Sequence, residues 1–158
     1  MSPLQLSLLP EATLLQNSFD QSSFIPYWKS VVPPAAGANV SITLPMVSLQ
    51  QLALLTFAFT TDANVANRFV YVTLVTGGIE FILGASGFAH TASTSLKYFG
   101  SSNATANLTG HVYAVQIPLA DIQFTDYTAT IGIKAANIQA GDQFLATYAM
   151  FKMWHGHL

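Results

Sequence analysis

Few residues in this chain have the type and spacing that catalysis requires. Ser86-Gly-Phe-Ala-His90 brings a serine and a histidine close together in sequence, and these side chains act jointly in nucleophilic catalysis. The serine is not part of a G-x-S-x-G turn, however, which is the motif that exposes a nucleophile between a strand and a helix. The seven carboxylates and four histidines are spread over the whole chain. The sequence therefore predicts no catalytic residue and no enzyme, with residues 84–95 forming a loop of small residues.

The four histidines are the residues to consider as metal ligands. His155-Gly-His157 can turn two imidazoles toward one transition-metal ion, but a built site needs more than two ligands. His90 and His111 have no second ligand in their own segments. The chain has no cysteine, so thiolate ligands and disulfides are excluded. We expect no metal site and no cofactor.

One charged pair has a structural interpretation. Arg68 is the sole arginine and begins a predicted strand, while Asp142 lies in the loop before the last predicted strand. A guanidinium group binds a carboxylate with two parallel hydrogen bonds. We therefore predict a structural ion pair between Arg68 and Asp142 that joins two distant loops. Asp62, the competing partner, is predicted to cap its own loop through local backbone hydrogen bonds instead.

The elements that would position these residues are β-strands. From Val40 onward, short runs rich in Val, Ile, Thr, Tyr and Phe alternate with turn residues. Apolar residues recur at every second position in residues 40–44 and 55–59, which is typical of half-buried strands. Gly77-Gly78 between two such runs predicts a hairpin. With no helical periodicity of useful length, the pattern favours an all-β fold, a single antiparallel β-sandwich of about eight strands, jelly-roll-like.

Proline content divides the chain. Five prolines cut residues 1–39 into short pieces, so we predict an extended N-terminal arm there, a β-sandwich domain at residues 40–154 and a C-terminal tail at residues 155–158. Large apolar side chains in the arm have no reason to occur in an untethered tail, so the arm is expected to pack on its own sandwich or on a neighbour.

Aromatic residues supply the predicted contact sites. Trp28 in the arm and Trp154 at the end of the last strand are the better candidates for exposed positions, and Trp and Tyr are enriched at interfaces. Together with Phe24 and Tyr27 they are the predicted interface residues.

Composition indicates self-association. Apolar residues make up 51% of the chain and charged residues only 8%, against roughly a quarter in an average soluble domain. A sandwich of this size cannot bury all of that apolar surface, so we predict a homo-oligomer. The five basic residues form no cluster, which excludes nucleic acid as an expected partner. No stretch approaches the ~20 apolar residues of a membrane helix, and no signal peptide is evident, so the chain should be made in a cytoplasm.

Two segments resemble known proteins. Residues 57–69 (FAFTTDANVANRF) and 137–143 (NIQAGDQ) resemble small structural proteins of tailed bacteriophages, in which a "TTxAxVANR" element recurs with a later "NLQAGDQ" turn. Residues 27–30 (YWKS) look familiar in the same setting. The resemblance implies a virion protein made in the host bacterial cytoplasm, such as a capsid decoration (cement) protein or a head or tail accessory protein.

The function expected from these observations is structural. As a decoration protein the chain would stabilise the phage head through subunit contacts, with the major capsid protein or other virion proteins as partners and the arm reaching over neighbouring subunits. A trimer follows from the three-fold positions that such proteins commonly occupy. The alternative is a receptor- or glycan-binding module of a tail or head fibre, in which exposed aromatic side chains would stack on sugar rings.

Overall fold

The computed structural model describes residues 24–44, 49–102, 114–124 and 129–154, which form strands, turns and loops. These residues form ten strands: β1 (Ile25–Val31), β2 (Val40–Thr43), β3 (Leu49–Thr60), β4 (Phe69–Thr76), β5 (Ile79–Ala85), β6 (Ser95–Ser101), β7 (Ala114–Pro118), β8 (Gln123–Phe124), β9 (Thr130–Ala136) and β10 (Gln143–Trp154). The described part contains no helix that is long and apolar enough to span a membrane.

The strand pairs are nested. The outermost pair is β1 with β10, followed by β2 with β9, β3 with β6 and β4 with β5, and all four pairs are antiparallel. The chain therefore forms one long antiparallel ribbon. The ribbon folds so that β10 also pairs with β3 and β9 also pairs with β4. This is the connectivity of a jelly roll, in which a folded ribbon forms the two sheets of a sandwich.

Folding of the ribbon gives two sheets of unequal size. The larger sheet has the order β1-β10-β3-β6-β7, with β8 also paired to β3. The smaller sheet has the order β2-β9-β4-β5. Every strand pair is antiparallel except β6 with β7, which is parallel. The predicted all-β sandwich is confirmed.

The number of strands differs from the prediction, since ten are present rather than about eight. The two additional strands are β1 and β8. In β1, Pro26 conceals the strand pattern, but β1 lies at the sheet edge, where a residue without an N–H group is tolerated. In β8 there are only two residues, too few for any periodicity to show.

Part of the predicted arm belongs to the sandwich. Residues 25–31 pair with residues 147–153 of β10 and supply the first strand of the jelly roll. The division at residue 40 therefore separates a strand from its own sheet, because sequence reasoning could not identify a pairing partner more than a hundred residues away. Residues 1–23 and the tail at 155–158 lie outside the described residues, and their assignment stays a prediction.

The core lies between the sheets and follows the predicted alternation. In β2, Val40 and Ile42 are buried while the intervening Ser41 and Thr43 are exposed. In β3, Leu55, Phe57 and Phe59 are buried. The Phe59 and Phe144 rings stack at 4.4 Å between centroids, which joins β3 to β10 through their inward faces.

The predicted hairpin at Gly77-Gly78 is confirmed. It joins β4 to β5, and its two glycines have φ of +58° and +77°. A two-residue turn with positive φ at both positions matches the twist of an antiparallel pair. Side chains with a Cβ rarely adopt this conformation, so the glycine pair determines the turn.

Candidate functional site: a buried arginine at the loop end

Four connections meet at one end of the sandwich, which we call the loop end. They are residues 32–39, 61–68, 86–94 and 137–142. Arg68 lies at their centre with its side chain fully buried, and an isolated backbone bridge pairs it with His90. A buried cation is costly unless it is paired and hydrogen-bonded, so its surroundings determine whether this end of the molecule is stable.

All five N–H groups of the Arg68 guanidinium donate hydrogen bonds. The Nε and Nη2 atoms each donate to one carboxylate oxygen of Asp142 at 2.9 Å, which is the bidentate geometry. Nη2 also donates to Asp62 Oδ1 at 2.7 Å. Nη1 donates to the carbonyl oxygens of Asn64 and Ala66 at 2.8 and 2.7 Å. The guanidinium therefore has its complete set of partners within its own chain.

Asp142 is equally well satisfied. In addition to Arg68, its fully buried carboxylate accepts hydrogen bonds from the backbone N–H groups of Asp62 at 2.9 Å and Gln139 at 2.7 Å. Burial alone would raise the pKa of Asp142, but the hydrogen bonds from Arg68 and from the two backbone groups hold this pKa below its ordinary value. The same pair raises the pKa of Arg68, chiefly through the hydrogen bond to Asp142. Both groups therefore stay ionised.

Asp62 has a larger role than predicted. It caps its own loop, accepting from the backbone N–H of Asn64 at 2.9 Å, but it also forms an ion pair with Arg68 at 2.7 Å. Its other oxygen accepts from the backbone N–H of Gly141 at 3.1 Å. A Cβ at Gly141 would lie 2.7 Å from that oxygen, so a glycine is required for the carboxylate to approach. We call Asp62, Asn64, Arg68, Gln139 and Asp142 the Arg68 cluster.

The cluster joins two separate segments of the sequence. Residues 57–69 supply Asp62, Asn64 and Arg68, and residues 137–143 supply Gln139 and Asp142. The structure thus brings together two segments that are far apart in the chain. Their residues bind each other and leave no ionised oxygen or guanidinium N–H of the pair without a partner, so the cluster acts as a clamp between loops rather than as a ligand site.

Next to the buried arginine, the clamp holds a highly exposed apolar side chain. Val65 lies between Asn64 and Ala66, whose carbonyl oxygens both bind Arg68, and it is 98% exposed. The backbone on each side of Val65 is therefore fixed. Because little conformational entropy remains to be lost on contact with a partner, a fixed exposed apolar residue suits an interaction surface. No sequence pattern identifies Val65, since its exposure depends on the hydrogen bonds that the neighbouring carbonyl groups accept from Arg68.

The serine and histidine considered for catalysis do not form a pair. The Ser86 hydroxyl donates to the carbonyl oxygen of Phe88 at 3.2 Å. The buried Nδ1 atom of His90 lies 3.1 Å from the Tyr98 hydroxyl, and the imidazole meets the Phe59 ring edge-on. Burial, followed by the nearby Arg68 charge, lowers the pKa of His90, and burial raises the pKa of Tyr98. His90 is thus a neutral core histidine.

Within the described ranges, no group of three or more His, Asp, Glu or Cys side chains is arranged to hold a metal ion. His111 and the His155-Gly-His157 pair lie outside those ranges.

The predicted interface residues fall into two groups. Phe24 and Trp28 are exposed, Trp28 to 60%, and Tyr27 is half-buried with its ring 6.2 Å from that of Phe151. Trp154, in contrast, is only 4% exposed, and the Phe24 ring lies 5.9 Å from it. The prediction that Trp154 is exposed is wrong, because β1 and the residue before it lie beside the last strand.

The solvent side of the larger sheet, which we call the outer face, is apolar. One row across three strands consists of Trp28, Met150 and Leu54, and a neighbouring row contains Tyr148 and Phe99. Tyr148 is 52% exposed. Sequence reasoning missed this face, although the nearly continuous apolar run at residues 144–151 is the signal of a strand that is apolar on both sides.

Comparison with known proteins adds little to this geometry. No protein-family model matches the chain, and no curated protein matches it. Among solved structures, a chain of "Structure of infectious bursal disease virus Gx strain" aligns over 88% of this chain with a TM-score of 0.35 and 17% sequence identity. The alignment covers 35% of that chain, so the present chain spans about a third of its length.

Proposed function

We propose that this chain is a non-enzymatic structural protein of a virion, most specifically a capsid decoration (cement) protein of a tailed phage. The observation that carries the proposal is a jelly roll with few charged residues and several exposed apolar sites. The resemblance of residues 57–69 and 137–143 to phage structural proteins supports the virion setting. The major capsid protein and further copies of this chain are the proposed partners.

Two sites on the described surface fit subunit contacts. The first is Val65 at the loop end, whose backbone is held by Arg68. The second is the edge strand β5, where Ile79, Phe81 and Ile82 are all exposed, Ile82 to 65%. Apolar residues in such positions indicate a surface that is covered in the assembled state.

The polar side chains considered for chemistry are engaged in holding the fold. Arg68 and Asp142 bind each other, Ser86 bonds the Phe88 carbonyl, and His90 bonds Tyr98. A catalytic site needs polar groups that converge on a space for substrate. This engagement supports a structural role over an enzymatic one.

The mechanism of a cement protein is burial of surface. Each 100 Å² of apolar surface removed from water contributes roughly 2.5 kcal/mol. Repeated over a shell, contacts of this size oppose internal pressure without any reaction. A trimer is the proposed oligomer, after the three-fold positions that decoration proteins occupy.

Solution mass tests self-association. By sedimentation or light scattering at micromolar concentration, the full chain should exceed the 17.0 kDa of one protomer. Ile82→Asp should lower that mass, while Thr43→Asp, a matched control at an exposed polar position on the same sheet, should not. A protomer that stays monomeric and decorates no virion would contradict the proposal. Cryo-microscopy that located the chain in few copies on a tail would contradict the cement role.

One observation favours the alternative, a receptor- or glycan-binding module. Trp28 and Tyr148 lie on the same face of the larger sheet with most of each ring exposed, and exposed aromatic rings stack on sugars. A glycan array distinguishes the two functions. Binding that is lost in both Trp28→Ala and Tyr148→Ala would support the glycan-binding module, and signals at background would support the structural role.

A further inference from the structure

The outer face of the larger sheet has an unusual distribution of charge. The strands of this sheet contain Lys29, Lys97 and Lys152 but no aspartate or glutamate. Among the described residues, none of these three lysines takes part in an ion pair, whereas Lys134 on the smaller sheet lies 2.6 Å from Glu80. Lys97 and Lys152 lie on the outer face, whereas Lys29 follows Trp28 in β1 and lies on the opposite side of the strand. The outer face therefore combines exposed apolar side chains with two cations that have no carboxylate partner in the described part of the chain.

Residues 1–23 have the complementary composition. This segment contains six leucines and a phenylalanine, with Glu11 and Asp20 as its only charged side chains. Leu4, Leu6 and Leu8 alternate with polar residues, a pattern that gives an extended chain one apolar side. The segment can thus supply both the apolar surface and the carboxylates that the outer face needs.

Residues 1–23 join the described chain at the border of the outer face. Phe24 immediately precedes β1, but its ring lies against the neighbouring strand β10, 5.9 Å from the Trp154 ring. The Lys152 Nζ atom lies 4.9 Å from the centre of the Phe24 ring. Phe24 continues the register of β1 opposite Trp154, and it lies on the same side of the strand as Trp28, so the segment is attached at the border of the outer face.

The length and attachment of the segment are sufficient. Five strands at ~4.8 Å spacing span roughly 20 Å, whereas 23 extended residues reach up to roughly 76 Å. Attachment at the edge of the same sheet gives the segment a local concentration in the millimolar range. This concentration favours the segment of the same chain over that of a second copy.

We propose that residues 1–23 of the chain bind across the outer face of its own larger sheet. The leucines cover the row of Trp28, Met150 and Leu54. The carboxylates of Glu11 and Asp20 face Lys97 and Lys152. The inference does not depend on the proposed function. It leaves Val65 and the β5 edge as the surfaces for contacts between subunits.

Acrylamide quenching of Trp28 tests the proposal in the full chain. The chain has two tryptophans, so a Trp154→Phe background leaves Trp28 as the only indole. Replacing Leu4, Leu6 and Leu8 together by serine should raise the quenching constant about twofold, because uncovering the face exposes most of the indole. The double change Glu11→Lys and Asp20→Lys should also raise the quenching constant of Trp28. A quenching constant that is equally high before and after these changes would overturn the proposal.

Disulfide trapping provides a second test of the proposal, in a chain that keeps Trp154. Because the chain has no cysteine, Leu6→Cys with Met150→Cys introduces the only possible pair, and Leu6→Cys with Thr43→Cys on the smaller sheet is the matched control. The first pair should form an intramolecular disulfide at the mass of one protomer and the control should not. Equal trapping in both would refute the assignment. Disulfides that form only between protomers would show that the segment of a second copy, and not that of the same chain, binds the outer face. Solution mass, which tests the proposed function, is a separate measurement.

Discussion

The loop end and the outer face of the larger sheet distribute their side chains in opposite ways. At the loop end, the Arg68 guanidinium and the Asp142 carboxylate are fully buried, while Val65 three residues before the arginine is almost fully exposed. On the outer face, lysines have no carboxylate partner among the described residues, and Trp28, Tyr148 and their neighbours face solvent. Neither region follows the usual placement of charge outside and apolar groups inside.

The difference shows what each region needs from other chain segments. The ions at the loop end have every hydrogen bond supplied by their own chain, so this end is complete in the protomer. The outer face has apolar area and cations that only another segment or subunit can cover. Stability should therefore be concentrated at the loop end and association at the exposed apolar sites.

The largest expected effect is the loss of the buried arginine. Arg68→Ala should lower the free energy of unfolding by about 3–5 kcal/mol, because Asp142 would remain as an unpaired buried carboxylate. Arg68→Lys should not restore it, since an ammonium group cannot reproduce the planar fork. Urea unfolding of the three proteins measures both changes.

A double-mutant cycle determines whether the pair itself is responsible. Arg68→Ala and Asp142→Ala should be strongly non-additive, with a coupling of about 0.5–3 kcal/mol. Additive losses would show that the two side chains contribute independently. The loop end would then not be held together by this pair, and it would not differ from the outer face in the way described above.

The pH dependence of stability should reveal the buried histidine next to this cluster. Burial and Arg68 lower the pKa of His90 from 6.5, so between that value and its pKa in the folded protein the unfolded chain binds more protons. Stability should therefore fall as pH decreases below about 6.5, by at most about 1.4 kcal/mol per pH unit. Asp142, whose pKa is also lowered, adds its own loss only below its ordinary value of 3.8. His90→Gln should remove the dependence above about pH 4, measured as thermal unfolding between about pH 4 and 8, a range that lies above the one in which Asp142 contributes. If His90→Gln left the pH dependence of stability unchanged, the pKa of His90 would not be lowered in the folded protein.

An exposed ion pair provides the matched contrast to Arg68. Lys134 and Glu80 lie 2.6 Å apart on the smaller sheet, with both side chains partly exposed. Lys134→Ala should change the free energy of unfolding by at most about 1 kcal/mol, because solvent screens the pair. Raising the salt concentration should reduce even this difference. A loss as large as that of Arg68→Ala would mean that burial does not distinguish the two pairs.

The smallest effect on stability is expected at the most exposed residue. Val65→Ser should alter the free energy of unfolding by no more than about 0.5 kcal/mol, since Val65 is 98% exposed and its backbone is held by Arg68. The same change should lower the solution mass if the loop end contacts another subunit. Arg68 and Val65, three residues apart, would then have separate effects, with Arg68 acting on folding and Val65 on association.

Local patterns in the sequence were sufficient for several elements. The alternation in residues 40–44 and 55–59 correctly identified the inward side chains, and Gly77-Gly78 correctly identified the hairpin, because both depend only on neighbouring residues. The sequence also predicted Arg68 and Asp142 as partners, and the structure places them 2.9 Å apart. The predicted exposure of Trp154 and the purely local role of Asp62 were incorrect, since both depend on contacts with distant segments.

By itself, the sequence determined the fold class, the scarcity of charge and the surplus of apolar side chains, since these follow from composition and periodicity. Only the tertiary structure decided that residues 25–31 form the first strand of the jelly roll, that Asp62 and Asp142 share one arginine, and which apolar side chains remain outside. The reason is physical: strand pairing and burial connect residues tens of positions apart, and the free energy of such contacts depends on distances in space that no local pattern specifies.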